Sequence, residues 1–121
     1  MGSRFTELVV DASDPQRLSE FWMGVLGWQP TGQYGNGAVE IANPNGGRPS
    51  LTFLPSSDAK TMKNRLHIDV NPTGCDQEQE VERLIGLGAR RIDVGQGTDK
   101  SWVVLADPEG NEFCVLRRRI D

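Results

Sequence analysis

Apolar side chains alternate with polar ones along several short runs and recur at helical spacing along two longer ones. Sorting the short runs by parity isolates an almost wholly apolar set. It comprises Leu8, Val10, Val39, Ile41, Leu51, Phe53, Leu66, Ile68, Val70, Val103, Leu105, Phe113 and Val115. A repeat of two is the signature of half-buried strands, which predicts strands over 5–10, 38–42, 50–54, 65–70, 101–106 and 112–117. Shorter strands are predicted from Trp28 and over 90–94, with a glycine-containing loop at 95–100. Leu18, Phe21, Trp22, Val25 and Leu26 share one face of a helix, as do Val81, Leu84 and Ile85 over 76–87. Asp14-Pro15 supplies a cap and a first-turn proline, and Gly27 and Gly88 stop the two helices.

The pattern occurs twice. The stretch Ala38-Val39-Glu40-Ile41-Ala42-Asn43-Pro44-Asn45-Gly46 reads like Trp102-Val103-Val104-Leu105-Ala106-Asp107-Pro108-Glu109-Gly110, an apolar strand entering an Asx-Pro-x-Gly turn, 64 residues further on. The helix ends Leu26-Gly27-Trp28 and Leu87-Gly88-Ala89 repeat as well. Duplication at this period predicts one domain over 1–121 built from two modules, 5–54 and 65–118, joined by a polar linker at 55–64. The expected fold is α+β. Two tandem β-α-β-β-β modules form a curved, mostly antiparallel sheet, with the helices on its outer face.

The other parity set carries the chemistry: Glu7, Val9, Glu40, Ser50, Thr52, Leu54, His67, Asp69, Trp102, Val104, Cys114 and Leu116. Apolar walls with a few inward polar groups describe a ligand pocket, and Trp102 could stack on a flat ligand there. A net charge of −4 over 121 residues argues against nucleic acid. Arg117-Arg118-Arg119 reads as a solvated tail. No apolar run approaches the roughly 20 residues that cross a bilayer, and no secretory signal is evident. Two cysteines, Cys75 and Cys114, make no disulfide framework. A cytoplasmic setting with reduced thiols is expected.

The paired modules, the segment from Asp14-Pro15 through Phe21-Trp22 to Val25-Leu26-Gly27-Trp28, and Asp107-Pro108-Glu109-Gly110-Asn111-Glu112-Phe113 resemble the vicinal oxygen chelate superfamily of glyoxalases, bleomycin-resistance proteins and extradiol dioxygenases. Lys63-Asn64-Arg65-Leu66-His67-Ile68-Asp69-Val70 resembles a small glyoxalase-like branch of it. The resemblance implies a small-molecule ligand and a homodimer. It also implies four metal-holding strand positions, which fall at Glu7, Ser50, His67 and Cys114; across the repeat Glu7 is matched to His67 and Ser50, 64 residues earlier, to Cys114. Glu7 and His67 suit a divalent ion, whereas a serine hydroxyl and a thiol suit a hard one poorly. No cofactor is therefore expected, with a divalent metal on Glu7 and His67 as the weaker alternative. The first functional expectation is a lyase or isomerase using Glu7 and His67 as an acid–base pair. The ligand would be lined by Trp102, Glu40, Asp69, Ser50, Thr52, Leu54 and Cys114. The alternatives are sequestration of a drug or metabolite without chemistry and, third, a metal-dependent dioxygenase.

Overall fold

The computed structural model describes residues 1–92 and 101–121, so the loop expected at 95–100 and the end of the strand expected at 90–94 lie outside the described residues. The chain divides into two compact units, Met1–Ala59 and Lys60–Asp121.

The first unit runs β1 (Glu7–Ala12), α1 (Pro15–Leu26), β2 (Gln29–Gln33), β3 (Val39–Ala42) and β4 (Ser50–Pro55). Asp14 caps α1 by accepting from the Arg17 amide, and Gly27 closes it with φ 68°, a left-handed conformation that suits a residue without Cβ. The strands hydrogen-bond in the order β1-β4-β3-β2. β1 lies parallel to β4, while β2/β3 and β3/β4 are antiparallel, so the sheet is mixed. The parallel pair arises because α1 lies between β1 and the rest of the unit and returns the chain in the same direction.

The apolar parity set meets α1 as the pattern predicts. Leu18, Phe21, Trp22 and Val25 are buried, as are Val39, Ile41, Leu51 and Phe53, and α1 packs on β4, β3 and β1. Phe21 and Trp22 meet edge to face at 5.5 Å. Complete burial of Ile41 or Phe53 is worth about 1.5–3 kcal/mol each in transfer free energy.

The second unit repeats the order: β5 (Ile68–Val70), α2 (Gln77–Leu87), β6 (Arg90–Arg91), β7 (Val103–Ala106) and β8 (Glu112–Val115), with sheet order β5-β8-β7-β6. β5/β8 is again parallel, and β6/β7 and β7/β8 are antiparallel. Asp76 and Gln79 form a reciprocal capping box at the start of α2. Val81 and Leu84 are buried with Leu105, Phe113 and Val115, and Ile85 is half-buried.

The fold is thus α+β, with a four-stranded mixed sheet in each unit, antiparallel at two of its three strand pairings. Three strands start two or three residues later than expected. β1 begins at Glu7, leaving Phe5 exposed; β5 begins at Ile68, leaving Leu66 exposed; β7 begins at Val103, leaving Trp102 on the preceding bend. Alternation extends into the flanking chain, but a strand ends where its neighbour stops supplying ladder partners. No helix among the described residues is long and apolar enough to cross a membrane.

Candidate functional site

The two Asx-Pro-x-Gly turns are built alike. Gly46 N–H donates to Asn43 O at 2.9 Å and Gly110 N–H to Asp107 O at 2.9 Å. The Asx side chains accept from the amides of Asn45 and Glu109, each at 2.9 Å. Gly46 and Gly110 take φ of 85° and 90°, where a Cβ would be strained. The turns differ in length, since residues 43–49 link β3 to β4 but only 107–111 link β7 to β8.

That difference changes which residues correspond. Within the first unit Glu7 pairs with Ser50, Val9 with Thr52 and Glu40 with Thr52. Within the second, Asp69 pairs with Cys114 and Val104 with Cys114. The register therefore matches Cys114 to Thr52 and Ser50 to Glu112, instead of Cys114 to Ser50. It matches Glu7 to His67 and Val9 to Asp69. A constant offset of 64 cannot be carried past a turn that is two residues longer in one copy.

In the first unit the polar face is an interlocked network. Glu40 Oε2 accepts from Ser50 Oγ at 2.8 Å and Arg48 Nη1 at 3.3 Å. Its Oε1 accepts from Thr31 Oγ1 at 3.0 Å and Tyr34 Oη at 3.3 Å. The Ser50 hydrogen bond, with those from Thr31 and Arg48, holds the Glu40 carboxyl below its ordinary value against the opposing effect of burial. Four donors fill the carboxylate's acceptor sites, so Glu40 serves here as the hub that ties β2, β3 and β4 together. Glu7 is exposed at the start of β1 and accepts from Thr52 Oγ1 at 2.8 Å. Ser50 is fully buried, Thr52 is buried and Leu54 is half-buried.

In the second unit three candidates come together. His67 Nε2 lies 3.2 Å from Asp69 Oδ1, both side chains close to half exposed. Asp69 faces Cys114 across the β5/β8 ladder. Ligand atoms of His67, Asp69 and Cys114 lie within 4.8 Å of one another. Burial, then the adjacent Asp69 carboxylate and its hydrogen bond, push the Cys114 thiol up, with the Lys63 cation opposing. Trp102 is partly exposed, at 37 %. Glu7 and His67, expected to act together, belong to different units and each has a partner in its own: Thr52 for Glu7, Asp69 for His67.

Glu112 was not among the expected site residues, although it shares the parity of Cys114 two residues away. It is buried, accepts from Lys60 Nζ at 2.9 Å and from the Asn64 amide at 3.1 Å, and so fastens the segment before β5 to β8. Burial alone would raise its pKa; the Lys60 hydrogen bond, the backbone and Asn64 outweigh it, and the carboxyl sits below the usual range. Ser50, its counterpart by register, is likewise buried under a structural hydrogen bond.

Duplicated β-α-β-β-β units with a parallel outer pair and a polar strand face define a protein of the vicinal oxygen chelate class. Residues 7–116 match the glyoxalase-like domain family, and the chain belongs to it. Solved structures with the same fold include a glyoxalase/bleomycin resistance protein/dioxygenase family enzyme from Burkholderia phytofirmans PsJN, at 21% identity and TM-score 0.68, covering 93% of this chain and 97% of that one. A possible glyoxalase from Bacillus cereus aligns at 18% identity and TM-score 0.67, covering 95% and 99%. A mutant of the fosfomycin resistance protein FosX from Listeria monocytogenes, complexed with Mn(II) and a dihydroxypropylphosphonic acid, aligns at 10% identity and TM-score 0.72, covering 96% and 90%. At these identities the likeness concerns the fold. No curated protein matches the chain.

A hard ion such as Mn(II) fits these residues poorly. Thr52 offers a neutral hydroxyl whose proton is already given to Glu7, Ser50 is committed to Glu40, and Cys114 offers sulfur.

Proposed function

We propose that this glyoxalase-like protein binds a small organic molecule on the polar strand faces and acts on it as a lyase or isomerase. His67 is the acid–base group and Asp69 its orienting partner. One observation carries the reading: the imidazole stands 3.2 Å from a carboxylate at a position open enough to meet a ligand. A carboxylate beside one ring nitrogen orients the ring, leaving the other nitrogen to exchange a proton with a carbon acid or ring substrate. Asp69 is named as the partner because it lies in the same unit, 3.2 Å from the imidazole. Trp102 supplies an aromatic wall. The homodimer implied by the resemblance and the cytoplasmic setting expected from the cysteine usage belong to the same reading.

A second reading is sequestration without chemistry. The saturated acceptors of Glu40 and the hydroxyl at Thr52 favour it, since they leave the first unit with structural rather than reactive groups.

A thermal-shift screen of metabolite and antibiotic collections identifies the ligand, because any molecule preferring the native state raises the melting temperature. Turnover of that ligand is then measured. His67→Ala is expected to lower kcat by roughly 10²–10⁴ with affinity changed only a few-fold. Unchanged kcat, or no turnover by the parent protein, supports sequestration instead.

A further inference from the structure

We propose that His67, Asp69 and Cys114 form a three-donor site for a thiophilic divalent cation of the zinc class, built wholly from the second unit. The inference stands independently of the acid–base reading, although the two share His67 and Asp69.

Strand geometry places the donors. His67 and Asp69 are two residues apart and so share a face, and the parallel register sets Cys114 opposite Asp69 on the neighbouring strand. An imidazole nitrogen, a carboxylate oxygen and a sulfur result, no two of them more than 4.8 Å apart. Tetrahedral zinc, with bonds of about 2.0–2.3 Å, needs its donors roughly 3.3–3.8 Å apart. The His67–Asp69 separation of 3.2 Å is close to that spacing already. Side-chain rotation is enough to close the remainder, because His67 and Asp69 are near half exposed.

The donor set also selects the metal. Sulfur with imidazole and one carboxylate matches a borderline-soft ion and disfavours Mg(II), Ca(II) or Mn(II). Among the described residues, a thiolate and Asp69 would carry two negative charges against the cation of Lys63, so the cluster would still attract a positive ion. Three protein ligands would leave a fourth position for water or a ligand atom.

The internal repeat provides a comparison within the same molecule. The corresponding positions in the first unit are Glu7, Val9 and Thr52. They hold one carboxylate, one apolar side chain and a hydroxyl already bonded to that carboxylate. Equivalent backbone geometry thus carries three metal donors in one unit only.

The test is titration of the chelator-treated protein with Co(II), which reports thiolate ligation through a sulfur-to-cobalt charge-transfer band, followed by displacement with Zn(II). The expected result is one Co(II) per chain with that band, reversal by Zn(II), and a raised melting temperature with Zn(II). Cys114→Ser should abolish the band. His67→Ala and Asp69→Asn should each weaken binding at least about tenfold. Cys75→Ser and Glu7→Gln should leave it unchanged. Circular dichroism confirms that each variant is folded, and Cys114→Ala is the replacement if Cys114→Ser is not. Absence of the band in the parent protein, its persistence in both Cys114 variants, or its loss in Cys75→Ser would overturn the proposal. None of these readouts uses turnover, so failure here leaves the acid–base reading standing and the reverse also holds. If both hold, Zn(II) inhibits turnover and chelation restores it, because metal and proton compete for His67.

Discussion

Ser50 Oγ stands 2.8 Å from Glu40 Oε2 and joins β4 to β3 on the polar face of the first unit. Glu40 gathers donors from Ser50, Arg48, Thr31 and Tyr34. These contacts lower its pKa, which makes its contribution to stability depend on pH. The folded state binds the proton less tightly than the unfolded state. The stabilisation is therefore present above the ordinary glutamate value of 4.5 and is lost as pH falls through the depressed folded value. Urea unfolding followed from neutral pH to well below that value should show this loss in the parent protein. Glu40→Gln should be less stable at neutral pH and should show a flatter acid limb.

Glu112 and Lys60 form a largely buried pair at 2.9 Å, and Glu112 also holds the Asn64 amide. A double-mutant cycle with Glu112→Gln and Lys60→Met should give a coupling of about 1–3 kcal/mol. Hydrogen exchange at the Asn64 amide should speed up in Glu112→Gln, while amides in α2 change little.

The two equivalent turns should respond differently to the same substitution. Asp107 is 1% exposed and accepts from the amides of Glu109 and Asn111 and from Asn111 Nδ2. Asp107→Ala leaves several part-buried donors unpaired and should cost about 2–4 kcal/mol. Asn43 lies exposed, and Asn43→Ala should cost about 1 kcal/mol or less. Chemical denaturation of the two variants measures both.

Trp102 sits on the bend before β7 with part of its ring accessible. Once a ligand is known, Trp102→Ala should weaken binding about three- to tenfold by removing a stacking surface, with kcat nearly unchanged. Calorimetry together with steady-state kinetics separates this outcome from that of His67→Ala.

Much of the fold was legible because it follows from local rules. Asp14-Pro15 and Gly27 bracket α1, and Leu18, Phe21, Trp22 and Val25 mark its buried face. The twin Asx-Pro-x-Gly turns announced the duplication, and alternation separated Ile41, Leu51, Phe53, Phe113 and Val115 from the polar set. His67, Asp69 and Cys114 were all legible as members of that set, since side-chain period alone assigns a face.

What the sequence could not supply is who stands opposite whom. Register between strands distant in the chain depends on turn length and on which edges pair. Neither is encoded at the residues concerned, so Cys114 was matched to Ser50 when the ladders match it to Thr52. For the same reason the four donors around Glu40 were not readable from the chain, and Glu112 went unnoticed until Lys60 and Asn64 met it. The sequence by itself determined the elements, the duplicated plan and the two faces, because capping, periodicity and turn chemistry act within a few residues. Only the tertiary structure decided that Asp69 is the partner of His67 and lies across from Cys114, because hydrogen-bond partners are selected by distances that close when the chain folds.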